Sequence, residues 1–316
     1  MNRLPFLALI LLFAASCASK PVTDPDGPPA VPYVVVLGIV QDGGYPQAGC
    51  NRPHCERGWD DHSLRREVAS LGIVDPISNQ KWLVDATPDF PTQLRRIDEL
   101  AASSPLSGIF LTHAHIGNYT GLMHLGGEVM GADSIPVYAM PRMRDFLRKN
   151  APWSQLVELE NIEIKPLQPN VSVRLNERLT ITPVPVPHRD ELSETVAYLV
   201  QGPSRAVFYL PDIDKWERWE TPVEAIIERV AVAYLDGTFY DIGELPGRDM
   251  ALIPHPFIVE SIERFSTLAP EIRQRVRLIH LNHSNPALDP ASPARRAIVA
   301  AGMSVAEQGE IVPLDN

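Results

Sequence analysis

The sequence of 316 residues has little positive charge, few aromatic residues and only three cysteines. Its 28 Lys and Arg stand against 39 Asp and Glu, which leaves a net charge of −11. A nucleic-acid surface needs clustered Lys and Arg, so this balance argues against one, and we interpret the acidic excess as a solubility feature. The apolar run over residues 4–15 is too short to span a bilayer as a stable helix.

Proline is the residue that the sequence has in excess, since 31 prolines are about twice the usual share of roughly 5%. Many stand beside apparent strand ends, as in Val184-Pro185-Val186-Pro187, which favours a loop-rich α/β fold over a helical bundle. Hydrophobic residues make up 45% and charged residues 21% of the chain, which is ordinary for a soluble globular protein.

The N-terminus has the parts of an export signal. Arg3 supplies positive charge, the apolar run follows, and Ala14-Ala15-Ser16-Cys17 closes the segment. The small residues before the cysteine resemble the end of a bacterial lipoprotein signal. They predict a signal peptide over residues 1–16, an acylated Cys17 and a flexible tether over residues 17–31. We therefore expect an exported protein, lipid-anchored at the periplasmic face of the outer membrane; an ordinary cleaved signal peptide or a retained anchor are the alternatives.

Residues 32–316 contain apolar runs that alternate with helical stretches, without an internal repeat. Strands are predicted at 33–37, 81–84, 108–111, Ile135–Ala139, 162–164, 171–175, 179–186, 195–200, Ala206–Leu210, 231–235 and 276–281. Helices are predicted at 92–100, 122–130 and 143–149. Strand–loop–helix units in both halves predict a single domain with two sheets flanked by helices, which is an αββα four-layer sandwich.

Polar residues stand at or near the carboxyl ends of six apolar runs. Loops at such strand ends converge on one cleft in α/β folds, so we expect these residues to lie together. They are Asp85, His113, His188, Asp212, Asp236 and His280. His113 and His115 stand just past a strand, and neutral imidazoles in this arrangement suit Zn²⁺ or Fe²⁺. Together with His188, Asp212 and His280, they predict a catalytic metal site with a position open for water.

Several motifs resemble the metallo-β-lactamase superfamily, in the same order along residues 33–312. They are Leu83-Val84-Asp85, Phe110-Leu111-Thr112-His113-Ala114-His115, Thr120-Gly121-Leu122, Val186-Pro187-His188, Tyr209-Leu210-Pro211-Asp212 and Leu278-Ile279-His280. Within the superfamily, five further segments resemble pyrroloquinoline quinone biosynthesis protein B, and the phosphonate-pathway cyclic phosphodiesterase is more distantly similar. Those segments are Gly43-Gly44-Tyr45-Pro46-Gln47, residues 50–55, Ala86-Thr87-Pro88-Asp89, Asp236-Gly237-Thr238 and Asn285-Pro286-Ala287-Leu288-Asp289.

The resemblance implies a role for each matching residue. His113, His115 and His188 would hold the first metal ion, Asp212 would join or bridge it, and Asp85 would orient the metal loop.

The family motif runs His-x-His-x-Asp-His, but Gly117 and Asn118 occupy its last two positions, which normally bind a second ion. His280 would remain as the only other ligand there, so we expect one active-site ion.

The segment Cys50-Asn51-Arg52-Pro53-His54-Cys55 resembles a structural zinc knuckle of these relatives, in which Arg52 stands at the place of a third cysteine. His54 could replace that thiolate, and His283 occupies the place of a histidine that the phosphodiesterase uses. We expect structural zinc on Cys50, Cys55, His283 and His54, with a disulfide or free thiols as the alternatives.

The expected function is metal-dependent hydrolysis of an ester, phosphodiester or lactone in a small molecule, with Asp212 or Asp236 handling the proton. An iron-dependent oxidative enzyme like the quinone-pathway protein, and a metal- or ligand-binding lipoprotein without turnover, are the alternatives. Candidate substrate contacts are Tyr45, Gln47, Asn118 and His255.

Overall fold

The computed structural model describes residues 27–101 and 104–316, so the predicted signal peptide and Cys17 lie outside the described residues. The described part forms two seven-stranded sheets. The first sheet contains β1 Tyr33–Gly38, β2 Ser70–Asp75, β3 Gln80–Val84, β4 Leu106–Phe110, β5 Ile135–Ala139, β6 Ile162–Pro166 and β14 Ile311–Pro313. The second sheet contains β7 Val173–Arg174, β8 Thr180–Pro185, β9 Val196–Gln201, β10 Ala206–Leu210, β11 Val232–Asp236, β12 Val276–Ile279 and β13 Ser304–Val305.

Both sheets follow the same plan, with antiparallel strands on one side and parallel strands on the other. The first sheet has the order β14-β1-β2-β3-β4-β5-β6, antiparallel as far as β3 and parallel from β3 to β6. The second has the order β13-β12-β11-β10-β9-β8-β7, parallel from β13 to β10 and antiparallel beyond. Parallel strands place their carboxyl ends at one edge, where the connecting loops gather.

The described part of the chain contains nine α-helices, most of which cover the outer faces of the two sheets. They are α1 Pro53–Asp60, α2 Phe90–Leu100, α3 Ile116–Tyr119, α4 Pro141–Lys149, α5 Trp153–Glu158, α6 Val223–Ile227, α7 Ile258–Phe265, α8 Pro270–Arg273 and α9 Pro293–Ala300. One apolar core lies between the sheets, one lies under α2, α4 and α5, and one lies under α6, α7 and α9. The predicted αββα sandwich is therefore confirmed.

The excess of proline is explained in part by helix starts. A proline stands in the first turn of α1, α2, α4, α8 and α9. Proline fits this position because the N–H that it lacks would have no partner within the helix, and because its φ is already helical. The prolines therefore mark helix beginnings as well as the strand ends considered in the sequence.

The predicted helix over residues 122–130 is wrong. The chain forms a 3-10 helix over Thr120–Leu125 and then turns. Gly126 and Gly127 follow directly, and each glycine in a helix interior costs about 1 kcal/mol relative to alanine. Across residues 27–101 and 104–316, no helix has the length and apolar character needed to cross a membrane.

Candidate metal centre

The strand ends of both sheets bring the predicted polar residues to one edge of the sandwich. Asp85 follows β3, His113 and His115 follow β4, His188 follows β8, Asp212 follows β10, Asp236 ends β11 and His280 follows β12. All are buried except His115, which is half-buried.

Three imidazoles and a carboxylate form the centre of this group. Ligand atoms of His113, His115 and His188 all lie within 4.8 Å of one another, and His113 Nε2 is 2.8 Å from His115 Nδ1. Asp212 places Oδ1 3.6 Å from His188 Nε2 and Oδ2 3.7 Å from His113 Nε2. His280 Nε2 lies 3.3 Å from Asp212 Oδ2. Side chains at these separations can share one cation with ligand bonds of roughly 2.0–2.2 Å after small adjustments.

Unpartnered polar atoms show that the donor set fits a metal ion. His188 Nε2 and Asp212 Oδ2 are buried and have no hydrogen-bond partner among the described residues. Burying such atoms without a partner costs about 1–3 kcal/mol each. A divalent cation bound between them would satisfy both atoms, whereas a purely structural role leaves them unexplained.

Burial also sets the protonation states that a metal ion needs. It lowers the pKa of His113 well below its usual range, that of His115 to about 4 and that of His280 to about 3. These imidazoles are therefore neutral at pH 7. Burial raises the pKa of Asp212, and the carboxylates of Asp236, Asp42 and Asp85 raise it further. A cation in the cluster would offset this concentration of negative charge.

Asp85 organises the loop that carries His113. Asp85 Oδ1 accepts the Thr112 N–H at 2.8 Å, and Thr112 Oγ1 lies 2.9 Å from Asp85 Oδ2 and 3.0 Å from His113 Nδ1. The Thr112 hydroxyl thus bridges the carboxylate to the far side of the imidazole, which leaves His113 Nε2 directed at the cluster. Burial raises the pKa of Asp85 to about 7, although the hydrogen bonds from Asn118 and Thr112 oppose this rise.

Asn118 belongs to the same network, and its prediction as a substrate contact is wrong. Its side chain is only 2% exposed, and its amide donates to Asp85 Oδ2 at 2.9 Å and to Thr112 Oγ1 at 3.2 Å. The residue therefore holds the metal loop from behind and does not face the cleft.

His255 lies deeper in the site than the sequence indicated. Its ligand atom forms a group with those of His188 and Asp212 in which all separations are within 4.8 Å, so it is a fifth imidazole of the cluster. His255 Nδ1 is 2.7 Å from Asp236 Oδ2. The sequence predicted that His280 is the only further ligand beside Asp212. That prediction is corrected, because His255 lies there as well.

Asp236 is a positioning residue and not the free proton acceptor that the sequence indicated. Besides His255, it accepts the N–H groups of Ile213 at 3.0 Å and Thr238 at 2.9 Å and the Thr238 hydroxyl at 2.7 Å. Burial alone would raise the pKa of Asp236, but His255, His280 and the Thr238 hydrogen bond lower it. Asp236 thus stays ionised and orients the His255 ring.

A cleft of about 690 Å³ opens above the cluster. Its polar wall includes Asp42, His115, His188, Asp212 and His255, and its apolar wall includes Ile116, Phe239 and Leu252. A volume of this size suits a small-molecule substrate.

Of the two predicted contacts in the glycine-rich loop, Gln47 lines an adjoining cavity of about 610 Å³. Tyr45 instead lines a separate cavity, where its hydroxyl donates to the carbonyl of His54, so its prediction as a residue at the metal mouth is wrong.

The comparisons with known proteins agree with this geometry. A family model described as "Beta-lactamase superfamily domain" matches residues 80–282, which is more than half of the chain. The chain belongs to the metallo-β-lactamase superfamily. Two relatives in sequence are both named Coenzyme PQQ synthesis protein B. The protein of Xanthomonas campestris pv. campestris is 26% identical, over 87% of this chain and 98% of its own. The protein of Klebsiella pneumoniae is 27% identical, over 90% and 99%.

Solved structures share the superfamily fold. Zinc-bound PqqB from Methylobacterium extorquens matches with a TM-score of 0.75 at 20% identity, over 89% of this chain and all of the other. A diphosphatase of the PhnP family matches with a TM-score of 0.63 at 20% identity, over 89% and 96%. Together with the match to the family model, this confirms the predicted membership of the superfamily.

Gly117, where the superfamily motif has aspartate, packs against a carboxylate from elsewhere in the chain. Gly117 N donates to Asp42 Oδ1 at 3.2 Å. A Cβ at position 117 would lie 2.6 Å from Asp42 Cα and would overlap Asp42 Oδ1. Asp42 thus fills the space that a side chain at 117 needs. The sequence offered one signal for this residue, an acidic side chain in the glycine-rich loop after β1.

The predicted zinc knuckle of the superfamily relatives folds into one cluster, but its two cysteines form a disulfide. The ligand atoms of Cys50, His54, Cys55 and His283 all lie within 4.8 Å of one another, and His54 Nε2 is 3.6 Å from Cys50 Sγ. The expectation of zinc on two thiolates is therefore corrected for this state, because sulfur in a disulfide is not a thiolate ligand.

Proposed function

We propose that the chain is a metal-dependent hydrolase that cleaves an ester, phosphodiester or lactone bond in a small molecule. The observation that carries this proposal is the set of His113, His115, His188 and Asp212 at the floor of an open cleft. All but the half-buried His115 are buried, and His188 Nε2 and Asp212 Oδ2 have no hydrogen-bond partner among the described residues. Three imidazoles and one carboxylate suit Zn²⁺ and leave room for water and substrate. The zinc-bound PqqB structure, which shares the fold, supports the choice of zinc.

A divalent cation held by His113, His115, His188 and Asp212 would supply Lewis acidity and would lower the pKa of water toward ~7. The other steps belong to the protein. Asp212 lies at the centre of the imidazole cluster, where its carboxylate can accept a hydrogen bond from an attacking water and orient it. His255 lines the cleft and, held on Asp236, can donate a proton to the leaving group.

Metal content and hydrolysis measured on the same preparation test the proposal. The anaerobically purified protein should contain zinc and hydrolyse bis(p-nitrophenyl) phosphate, p-nitrophenyl acetate or a simple lactone. His188→Ala should lose the active-site ion and at least about 100-fold in kcat/KM, whereas His62→Ala, at an exposed histidine, should match the wild type. Equal activity in both variants would refute the proposed metal centre.

An iron-dependent oxidative activity is the second candidate. The specific observation in its favour is the similarity to Coenzyme PQQ synthesis protein B over 87–90% of the chain. Histidine and carboxylate ligands with an open position also suit Fe²⁺. Iron in the anaerobic preparation, together with oxygen uptake that zinc abolishes, would favour this candidate over hydrolysis.

We also propose that the reduced Cys50–Cys55 segment binds structural zinc together with His54 and His283. All four donors are already gathered in the disulfide form, so reduction leaves two sulfurs and two nitrogens close together, which is a ligand set that structural zinc sites use. Protein reduced with a phosphine should take up one more zinc equivalent than oxidised protein, and Cys50→Ser should take up none at this cluster. Identical zinc content before and after reduction would contradict this.

We also propose that the protein is exported and anchored through an acylated Cys17. The cleft would then lie in the periplasm, and the partners of the protein would be a membrane and a small molecule. The support is the residue pattern before Cys17.

A further inference from the structure

Two arginines that have no ion pair among the described residues line one cavity beside the metal cleft. Arg52 and Arg248 both line the 610 Å³ cavity and are exposed to solvent. Neither has a carboxylate within ion-pair distance in the described part of the chain. Other arginines near the cleft differ, since Arg189 pairs with Glu191 at 3.0 Å and Arg218 pairs with Asp214 at 2.7 Å. The protein has a net charge of −11, so two arginines without a partner among the described residues make this cavity locally positive on a negatively charged molecule.

The other polar groups of this cavity leave that positive charge in place. Among the described residues that line it, the only carboxylate is Asp42, which accepts the Gly117 N–H. The lining amides of Gln41 and Gln47 can donate hydrogen bonds to a ligand. Arg52 also precedes the first turn of α1, which has no side-chain cap, so the helix end adds to the positive potential.

The cavity continues into the metal cleft. Both spaces are lined by Gln41, Asp42, Ile116, Phe239 and Arg248. A molecule with its reactive bond at the histidine cluster can therefore extend past Phe239 and Ile116 into the cavity that Arg52 and Arg248 line. Arginine forks bind carboxylate and phosphate groups with paired, charge-assisted hydrogen bonds.

We propose that Arg52 and Arg248 bind an oxyanion, a carboxylate or a phosphate, at the far end of the substrate. The substrate class is thus an elongated small molecule that carries a hydrolysable bond at one end and an anionic group at the other. This inference rests on the proposed function for the hydrolysable end, whereas the anion site itself does not require turnover.

Calorimetric titration with inorganic phosphate and, separately, with acetate tests the anion site. Arg52→Gln and Arg248→Gln should each weaken binding of at least one probe about tenfold, and the double variant should abolish it. Arg229→Gln is the matched control, because Arg229 is also exposed and without an ion pair among the described residues but lies outside both cavities. The probe that responds identifies the anion as phosphate or carboxylate.

Phosphate held at the metal would remain in the double arginine variant and disappear in His188→Ala. The proposal is therefore overturned if phosphate and acetate both bind the double arginine variant with the same affinity as the wild type. Both side chains are exposed, so the variants should keep the wild-type Tm.

Turnover of matched esters separates this inference from the proposed function. The double variant should raise the KM for mono-p-nitrophenyl succinate about tenfold or more with little change in kcat, and should leave neutral p-nitrophenyl acetate unaffected. Hydrolysis of both esters with an unchanged KM ratio overturns the anion site. Arginine-dependent binding of phosphate or acetate without hydrolysis of either ester supports the site and refutes the hydrolase.

Discussion

Thr112→Val removes the hydroxyl that connects Asp85 to His113 while keeping the shape of the side chain. Thr112 is buried, and its Oγ1 lies 3.0 Å from His113 Nδ1, 2.9 Å from Asp85 Oδ2 and 3.2 Å from Asn118 Nδ2. The substitution leaves His113 Nδ1 without a partner. The imidazole can then rotate, and Nε2 is no longer held in the direction of the metal cluster.

The size of the effect follows from these contacts. A buried polar group without a partner costs about 1–3 kcal/mol, and we expect the free energy of unfolding to fall by that amount. Outer hydrogen bonds to a metal-binding histidine are worth about 10–100-fold in metal affinity, which corresponds to roughly 1.4–2.7 kcal/mol. No cavity forms, because valine and threonine have nearly the same volume.

Competition with a chelator for zinc, together with urea unfolding of the metal-free protein, measures both effects. Thr195→Val provides the matched control, since Thr195 is also buried but its hydroxyl has no hydrogen-bond partner in the described residues. The control should bind zinc like the wild type and be equally stable or slightly more so. Wild-type zinc affinity in Thr112→Val would refute the positioning role of the Asp85–Thr112–His113 connection.

Three further outcomes are expected. Burial raises the pKa of Glu244 from 4.5 to about 7, so the folded state holds the proton more tightly than the unfolded state. The stability that this contributes is complete below pH 4.5 and is lost as the pH rises toward 7, by up to roughly 3 kcal/mol. Glu244→Gln should therefore flatten the dependence of Tm on pH between 5 and 8, and an unchanged slope would contradict this. Cys17→Ser should give protein without a lipid label in the soluble fraction; a remaining label would exclude the proposed anchor. Gly117→Ala should lower the free energy of unfolding by about 1–3 kcal/mol, because its Cβ would lie 2.6 Å from Asp42 Cα. A free energy of unfolding equal to that of the wild type, measured in urea, would show that the loop moves to accept the added methyl group without cost.

The sequence predicted the fold and the outline of the site because both depend on strand ends. Apolar runs identify buried strands, and a parallel strand places its next polar residue at the carboxyl edge of the sheet. For that reason His113, His188, Asp212 and His280 were found in one cluster although they are far apart in the chain.

The rest of the site depends on loops, which leave no periodic signal. Asp42 reaches the cluster from a glycine-rich turn, and the space it occupies is visible only against Gly117. His255 stands between two prolines outside any strand, and its place beside Asp236 results from tertiary packing. Asn118 could not be separated from a substrate contact, because burial of an amide behind a carboxylate is not encoded in local spacing.

The ligands of the proposed ion come from both sheets, since His113 and His115 follow β4 of the first sheet, and His188 follows β8 and Asp212 follows β10 of the second. A bound ion would therefore act as a cross-link between two separately layered halves of the sandwich. Separation of the halves requires at least one ligand bond to break, whereas the site cannot form until both sheets have met. The ion should thus slow unfolding much more than it accelerates folding. The lifetime of the native state then depends on how firmly the ion is held, so supply of metal sets the rate at which the protein opens to proteases.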